Sequence, residues 1–303
     1  MHPAVSVIFF TVTSGAGFGF MALMGLGIPM PEGGLGAFLA CVIAGGLAVA
    51  GLISSTFHLG HPERAWRAFS QWQSSWLSRE GVCAVITLTL FGIYGLFWVF
   101  FNTRIELLGI LMSVGAFATV FTTAMIYTQL KTVPSWNTGL TPVCYLLFAV
   151  SCGILLSASF GVWQIAFLPF LAFCSLLVAW GAKFLWWQNS ESDTLAKRGS
   201  DTGTATGLGS IGKVKLLEKP HSGENYLTKE MVHKVGRKHA HKLKRIALLM
   251  GAGIPLLMCV FAMLFGNFSG LYAIAVISLL AGLFAERWLF FAQAKHAVSL
   301  YYQ

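Results

Sequence analysis

Charge is what this chain lacks most. Only 10% of its residues are Asp, Glu, Lys or Arg, and acids are scarcest, 11 in 303 residues; an average soluble domain carries roughly a quarter. That poverty excludes an ordinary soluble globule and a disordered chain. Informative cysteine spacing is also missing. Cys41, Cys83, Cys144, Cys152, Cys174 and Cys259 form no CxxC, CxxCH or ferredoxin-like pattern, so the chain supplies no iron–sulfur ligand set and no c-type haem attachment. Each sits in an apolar run, where cysteine packs as a small hydrophobe. No Gly-Lys-Ser/Thr follows the glycines at 203–209, which excludes a phosphate loop. No histidine falls in the middle of an apolar run, and no internal repeat is present. Met1-His2-Pro3 lacks the basic start of a signal peptide, so the first apolar segment is expected to stay as a helix.

What is present is apolar: 56% hydrophobic residues, 33 glycines and 10 tryptophans, with a mean hydropathy of +0.72. Glycine lets membrane helices approach closely and tryptophan gathers at the headgroup boundary. A lipid-spanning helix needs about 20 apolar residues. Eight runs qualify: Ala4 to Ile28, Leu35 to Leu59, Val82 to Phe101, Ile105 to Leu130, Leu140 to Phe160, Val162 to Trp187, Ile246 to Phe265 and Leu271 to Phe291. Between the fifth and sixth only Gly161, Trp163 and Gln164 intervene, and a tight turn is expected there. The sequence therefore predicts an all-α integral membrane protein with eight transmembrane helices. Residues 1–188 hold six helices, 189–245 a polar, basic insertion, and 246–303 two helices and a tail. The insertion's first half has the composition of a flexible loop, and Thr228 is placed to cap a basic helix running into the seventh span.

The net charge of +9 would suggest an acidic partner in a soluble protein, but here it reports topology first. With eight spans, the even-numbered connections and both termini share one side, and that side carries 19 of the 20 Lys and Arg residues; Arg104 is the exception. The positive-inside rule then places both termini in the cytoplasm and the chain in a bacterial inner membrane. No nucleic-acid partner is implied.

Three clusters carry ionisable groups, all on the basic side. The first is His58-Leu59-Gly60-His61-Pro62-Glu63-Arg64-Ala65-Trp66-Arg67 with Trp76-Leu77-Ser78-Arg79-Glu80. A quinone site needs an apolar slot and hydrogen-bonding groups, one able to pass a proton, and histidine titrates near neutrality. His58 is the best-placed such group, although an interfacial histidine bonded to a loop carbonyl would read the same way. Arg64, Arg67 and Arg79 read equally as inside anchors. The second cluster runs from Tyr127 to Trp136, where Pro-Ser-Trp reads as an interfacial anchor. The third is Glu286-Arg287-Trp288 near the end of the last run. An acid and base inside an apolar span are costly unless paired or facing a wet cavity, which makes them a functional candidate, with a snorkelling arginine as the alternative.

Four stretches together resemble a known family. His58-Leu59-Gly60 with Pro62 and Arg64-Ala65, Leu77-Ser78 with Glu80, Thr132-Val133-Pro134-Ser135-Trp136 with Thr141-Pro142, and Arg287 with His296 closely resemble the membrane anchor subunit of dimethyl sulfoxide reductases. The resemblance covers nearly all of the chain outside 189–245. It implies a partner iron–sulfur subunit, a molybdopterin catalytic subunit, and electron exchange with a quinone, ubiquinone or menaquinone, at a site where His58 holds the quinone-site position. Two departures stand out. The reductase anchors face their partners outward, whereas the charges here point inward. The insertion, with Lys215-Leu216-Leu217-Glu218, Asn225-Tyr226-Leu227-Thr228 and Val235-Gly236-Arg237-Lys238-His239-Ala240, resembles anchors of cytoplasmic sulfite-oxidising complexes. That likeness implies electrons flowing from sulfite to quinone.

The expected site comprises His58 and Glu80 for proton transfer; His58, Arg64, Trp136, Glu286 and Arg287 around the quinone; and Arg67, Arg79, Lys234, Arg237 and Lys238 against the partner. A quinol-oxidising anchor is the first alternative. A second is a b-type haem, which needs two axial histidines, with His58, His61, His239, His241 and His296 as candidates at the cytoplasmic edge. A transporter would require charges at mid-membrane or paired broken helices, and the sequence shows neither.

Overall fold

The computed structural model describes residues 5–28, 31, 34–59, 61–160, 167–218 and 239–302, with 58, 301 and 302 described by backbone alone. Eight helices are long and apolar enough to cross a membrane. They are α1 (Val5–Gly25), α2 (Gly34–Ser54), α3 (Trp76–Phe101), α4 (Glu106–Thr128), α5 (Leu140–Ser159), α6 (Leu168–Ser192), α7 (Ala240–Phe265) and α8 (Ser269–Ala292). Among the described residues there is no strand. The turn expected between the fifth and sixth runs falls at 161–166, outside the described residues. Thr228 also lies outside them, while the basic helix that feeds the seventh span is seen from Ala240.

Helix α1 is the pillar of the bundle, packed against α2, α4, α5 and α8. It carries no charge and is buried from Phe10 to Gly25 except at Gly15. Without a hydrophobic drive between helices in lipid, close van der Waals approach must hold them together, and small residues permit it. A Cβ at Gly17 would sit 2.5 Å from the Ala48 nitrogen on α2, and one at Gly153 on α5 would sit 2.5 Å from the Gly19 carbonyl oxygen. Side chains of neighbours satisfy carbonyls near the end of α1: Ser113 donates to Ala22 (2.7 Å) and Tyr94 to Met24 (3.2 Å).

Helix α7 is broken by a π turn at Leu249–Gly253. Pro255 explains it, because proline has no N–H to give the Gly251 carbonyl and its ring crowds that oxygen. The freed acceptor is claimed by Trp180 of α6, whose Nε1 donates at 2.8 Å. Ser278 of α8 donates to the neighbouring Met250 carbonyl at 2.6 Å. The defect thus becomes a joint among three helices, as membrane proteins require of any unpaired backbone group.

On one face, the α4–α5 loop, the start of the α6–α7 connection and the chain end meet. Arg198 donates to both Asp193 oxygens, to Asn137 Oδ1 (2.8 Å) and to the Asn137 and Pro134 carbonyls (3.1 and 3.2 Å). Ala297 N donates to Thr132 O at 2.9 Å. Beyond the clamp, Asp201 caps a short helix, Thr202–Thr206, through a reciprocal capping box with Thr204. Composition suggested a flexible loop here; specific side-chain bonds build a folded mount instead.

Candidate functional site

The strongest chemistry lies inside the bundle, about 9 Å of helix below the end of α8. Glu286 and Arg287 of α8 and Lys183 of α6 are 0%, 3% and 1% exposed, so neither cation snorkels to the surface. Lys183 Nζ pairs with Glu286 Oε1. Arg287 Nη1 lies 3.2 Å from Oε2 and 3.5 Å from Oε1 of the same carboxylate. Two cations therefore share one anion. Aromatic faces take the remainder of the charge: Lys183 Nζ is 3.5 Å from the Trp186 ring centre and Arg287 Cζ 3.7 Å from that of Tyr145. Cation–π attraction strengthens when desolvated, as here.

Around this triad the Thr132–Trp136 loop and the end of α8 interlock. Trp136 Nε1 donates to the Phe290 carbonyl (3.0 Å) and its ring stacks on Phe290 at 5.3 Å. Trp186 Nε1 donates to Thr141 Oγ1 (3.0 Å), which donates to the Trp136 carbonyl (2.8 Å). Tyr127 packs against Trp136, Tyr145, Phe290 and Phe291. Tyr145 Oη, Ser135 Oγ, Trp187 Nε1 and Glu286 Oε2 are buried without a hydrogen-bond partner. Tyr145 and Arg287 also line a cavity of about 20 Å³, room for one water. A larger cleft of about 360 Å³ opens beside Ser135, Trp187, Asp193 and Lys295.

Glu80 is the other buried acid, 4% exposed at the first turns of α3. Its Oε1 lies 2.5 Å from Thr123 Oγ1 on α4, and that hydroxyl is also 2.9 Å from the Thr119 carbonyl. One hydroxyl hydrogen cannot serve both acceptors. A charged Glu80 would accept from Thr123, whereas a protonated Glu80 would donate to it and leave the Thr123 hydrogen on Thr119, so the pair accommodates either state. The Glu80 charge also reaches Tyr127 and Tyr145. Among the described residues, Glu80, Lys183, Glu286 and Arg287 are the buried charged groups, two of each sign. The two tyrosines stand between the lone acid and the triad.

The structure brings together Trp136, Glu286 and Arg287, and joins Glu80 to them through the tyrosines. His58 ends a 3-10 continuation of α2, Ser55–His58, and its side chain lies outside the described residues. The loop that follows is a 3-10 segment, Pro62–Gln71. On it His61 Nδ1 meets Glu63 Oε1 at 2.9 Å, Arg64 lies 3.7 Å from the same oxygen, and Arg67 lies over Trp66, all exposed. Arg79 pins this loop to α3, donating to the Trp72 and Gln73 carbonyls and lying over the Trp76 ring. Lys234, Arg237 and Lys238 lie outside the described residues. His239 and His241 are exposed, and half-buried His296 accepts at Nδ1 from Val298 N at 3.0 Å. Among the described residues no three His, Cys, Asp or Glu converge as a metal site. Sequence reading missed Lys183; a lone cation deep in an apolar run, one turn before Trp186-Trp187, was the available signal.

Eight spans around a buried set of acids, bases and aromatics define a multi-pass membrane protein with ionisable groups held inside the bundle. Residues 1–293 match the family described as DMSO reductase anchor subunit (DmsC), and the chain belongs to that family. It is 32% identical to the C-type subunit of the sulfite dehydrogenase of Allochromatium vinosum over 328 aligned positions, covering 100% of this chain and 99% of that protein. No solved structure matches the chain. The protein is a membrane anchor of an oxidoreductase complex.

Proposed function

We propose that this chain is the quinone-reactive anchor of a molybdopterin and iron–sulfur complex that oxidises sulfite in the cytoplasm and passes the electrons to quinone. In this reading the membrane is a bacterial inner membrane, both termini are cytoplasmic, and residues 189–245 are a cytoplasmic unit between two membrane segments. The partner iron–sulfur subunit docks against Arg67, Arg79 and the insertion, including Lys234, Arg237 and Lys238. The full-length likeness to a sulfite dehydrogenase subunit favours this direction of flow over quinol oxidation.

Quinone reduction takes two electrons and two protons, so an anchor that performs it must hold protonatable groups where lipid meets water. The observation that carries the reading is Glu80, a buried carboxyl whose hydroxyl partner suits both of its protonation states. It sits on α3, against which the Pro62–Gln71 segment that follows His58 is packed. His58 hydrogen-bonds the quinone and passes a proton, with Glu80 as its supply. Arg64 supports the headgroup, while Trp136, Glu286 and Arg287 bound the site on the α8 side. No haem is needed for this chemistry, and an absorption spectrum of the reduced protein without b-type bands is the expected result.

Membranes with the assembled complex should reduce a quinone analogue with sulfite. His58→Ala should slow that reaction by about 10² to 10⁴, the usual loss for a positioned acid or base, while sulfite-dependent reduction of an artificial acceptor stays normal. Full quinone turnover in the assembled variant would end the role given to His58.

A further inference from the structure

The α6–α7 connection ends its described part in a stretch unlike the rest of the chain. After the Arg198 clamp and the capped helix Thr202–Thr206, the Gly209 amide donates to the Gly203 carbonyl at 3.2 Å and closes the mount. Ile211-Gly212-Lys213-Val214-Lys215-Leu216-Leu217 then leaves it. Residues 213–216 have neither helix nor turn, and no amide from 212 to 218 is hydrogen-bonded among the described residues. Ile211 is 83% and Leu217 101% exposed, although both lie outside every span. Aliphatic side chains crowded onto water-exposed chain mark a surface that something covers.

Lys213, Val214, Lys215 and Leu216 alternate charged and apolar, the period of a strand. We infer that residues 213–217 add as an edge strand to a β-sheet of the iron–sulfur partner subunit, backbone to backbone, with Lys213 and Lys215 facing acidic groups on that subunit. This deepens the partner assignment made above and rests on it. A lipid surface fits less well, because open amides and carbonyls are costly in an apolar layer whereas a sheet edge satisfies them. The mount supplies what strand addition needs: Arg198 and the Asp201 cap fix where the segment leaves the α4–α5 loop, so little ordering remains to be done on docking.

In an added strand, alternate amides face the partner, and proline deletes one amide without demanding a new fold at an exposed site. Val214→Pro and Lys215→Pro in the full chain, expressed with its partner subunits, therefore test the register. The complex is purified from membranes through the anchor, and the iron–sulfur subunit retained is measured by immunoblot. One variant should lose at least tenfold of that subunit and the other much less, with anchor levels unchanged. Equal retention in both, or equal loss in both, would overturn strand addition. A photo-crosslinking residue in place of Leu217 should mark the iron–sulfur subunit; marking of lipid alone would overturn the chosen occupant. A wild-type complex holding no iron–sulfur subunit would instead overturn the partner assignment itself, and this docking with it.

Discussion

Replacing Glu286 by glutamine removes the one anion shared by two buried cations. Lys183 and Arg287 would remain 1% and 3% exposed, about 9 Å of helix from the end of α8, with only the Trp186 and Tyr145 rings to face. Breaking a buried pair by deleting one partner costs about 3–5 kcal/mol, because the other charge is stranded. Even 3 kcal/mol lowers the folded fraction relative to unfolded by more than 100-fold. Lys183→Met is the informative contrast. It leaves Glu286 paired with Arg287, one charge of each sign, and puts an apolar chain against Trp186, so its cost should stay below about 1.5 kcal/mol, the usual range for tolerated core swaps. In the double variant the loss should fall short of the sum, since the stranded lysine is gone. Purified anchor in mixed micelles, unfolded by titration with sodium dodecyl sulfate and followed by far-ultraviolet circular dichroism, gives all three values. If Glu286→Gln matched the wild type, or Lys183→Met were the costlier change, the shared-anion reading would be refuted.

Thr123→Val should strip Glu80 of its hydroxyl partner and destabilise the anchor by about 1–3 kcal/mol in the same titration, the cost of an unsatisfied buried polar group. Glu80→Gln, with an amide that still bonds Thr123, should keep stability and slow quinone turnover. Arg198 holds the Asp193 carboxyl below its ordinary value by hydrogen bonding. The clamp therefore contributes stability above the unfolded carboxyl value near 4, and loses it as pH falls through the lower folded value. An acid-stable protease should cut near Gly199 only at that acid end in the wild type, but already at neutral pH in Arg198→Ala. A C-terminal alkaline phosphatase fusion should be inactive and a green fluorescent fusion bright; the reverse would contradict cytoplasmic termini.

The spans were legible because twenty apolar residues in a row suit little besides a membrane helix, and the helices match the runs to within a few residues at most ends. The largest differences are informative. Helix α6 runs on to Ser192, five residues past Trp187, and α7 starts at Ala240 rather than Ile246. Hydropathy sees only the apolar part of a helix, while backbone hydrogen bonding continues into Gln188-Asn189 and Lys242-Leu243-Lys244. Glu286 and Arg287 stood out as charges within a span. Lys183 did not, since its significance lies in facing Glu286 across two helices 103 positions apart in sequence. The folding of 193–209 was illegible for a similar reason: Arg198 looks like any loop arginine until Asn137 and Pro134 are brought beneath it.

Helix α1 is made first and packed last. Its neighbours α4, α5 and α8 leave the ribosome well after it, so the pillar must reside in lipid before its grooves are filled. Its polar residues suit that wait: Thr11, Thr13 and Ser14 each donate to a carbonyl of their own helix, at Ile8, Phe9 and Phe10. No hydroxyl is left seeking a partner in hydrocarbon. The interfaces that later close on it are shaped by Gly17 and Gly19, which attract nothing at a distance and reward only a correct fit. Biogenesis of this anchor should therefore tolerate delay after the first span, and a single methyl group at Gly19 should arrest assembly at the arrival of α5 while leaving insertion untouched.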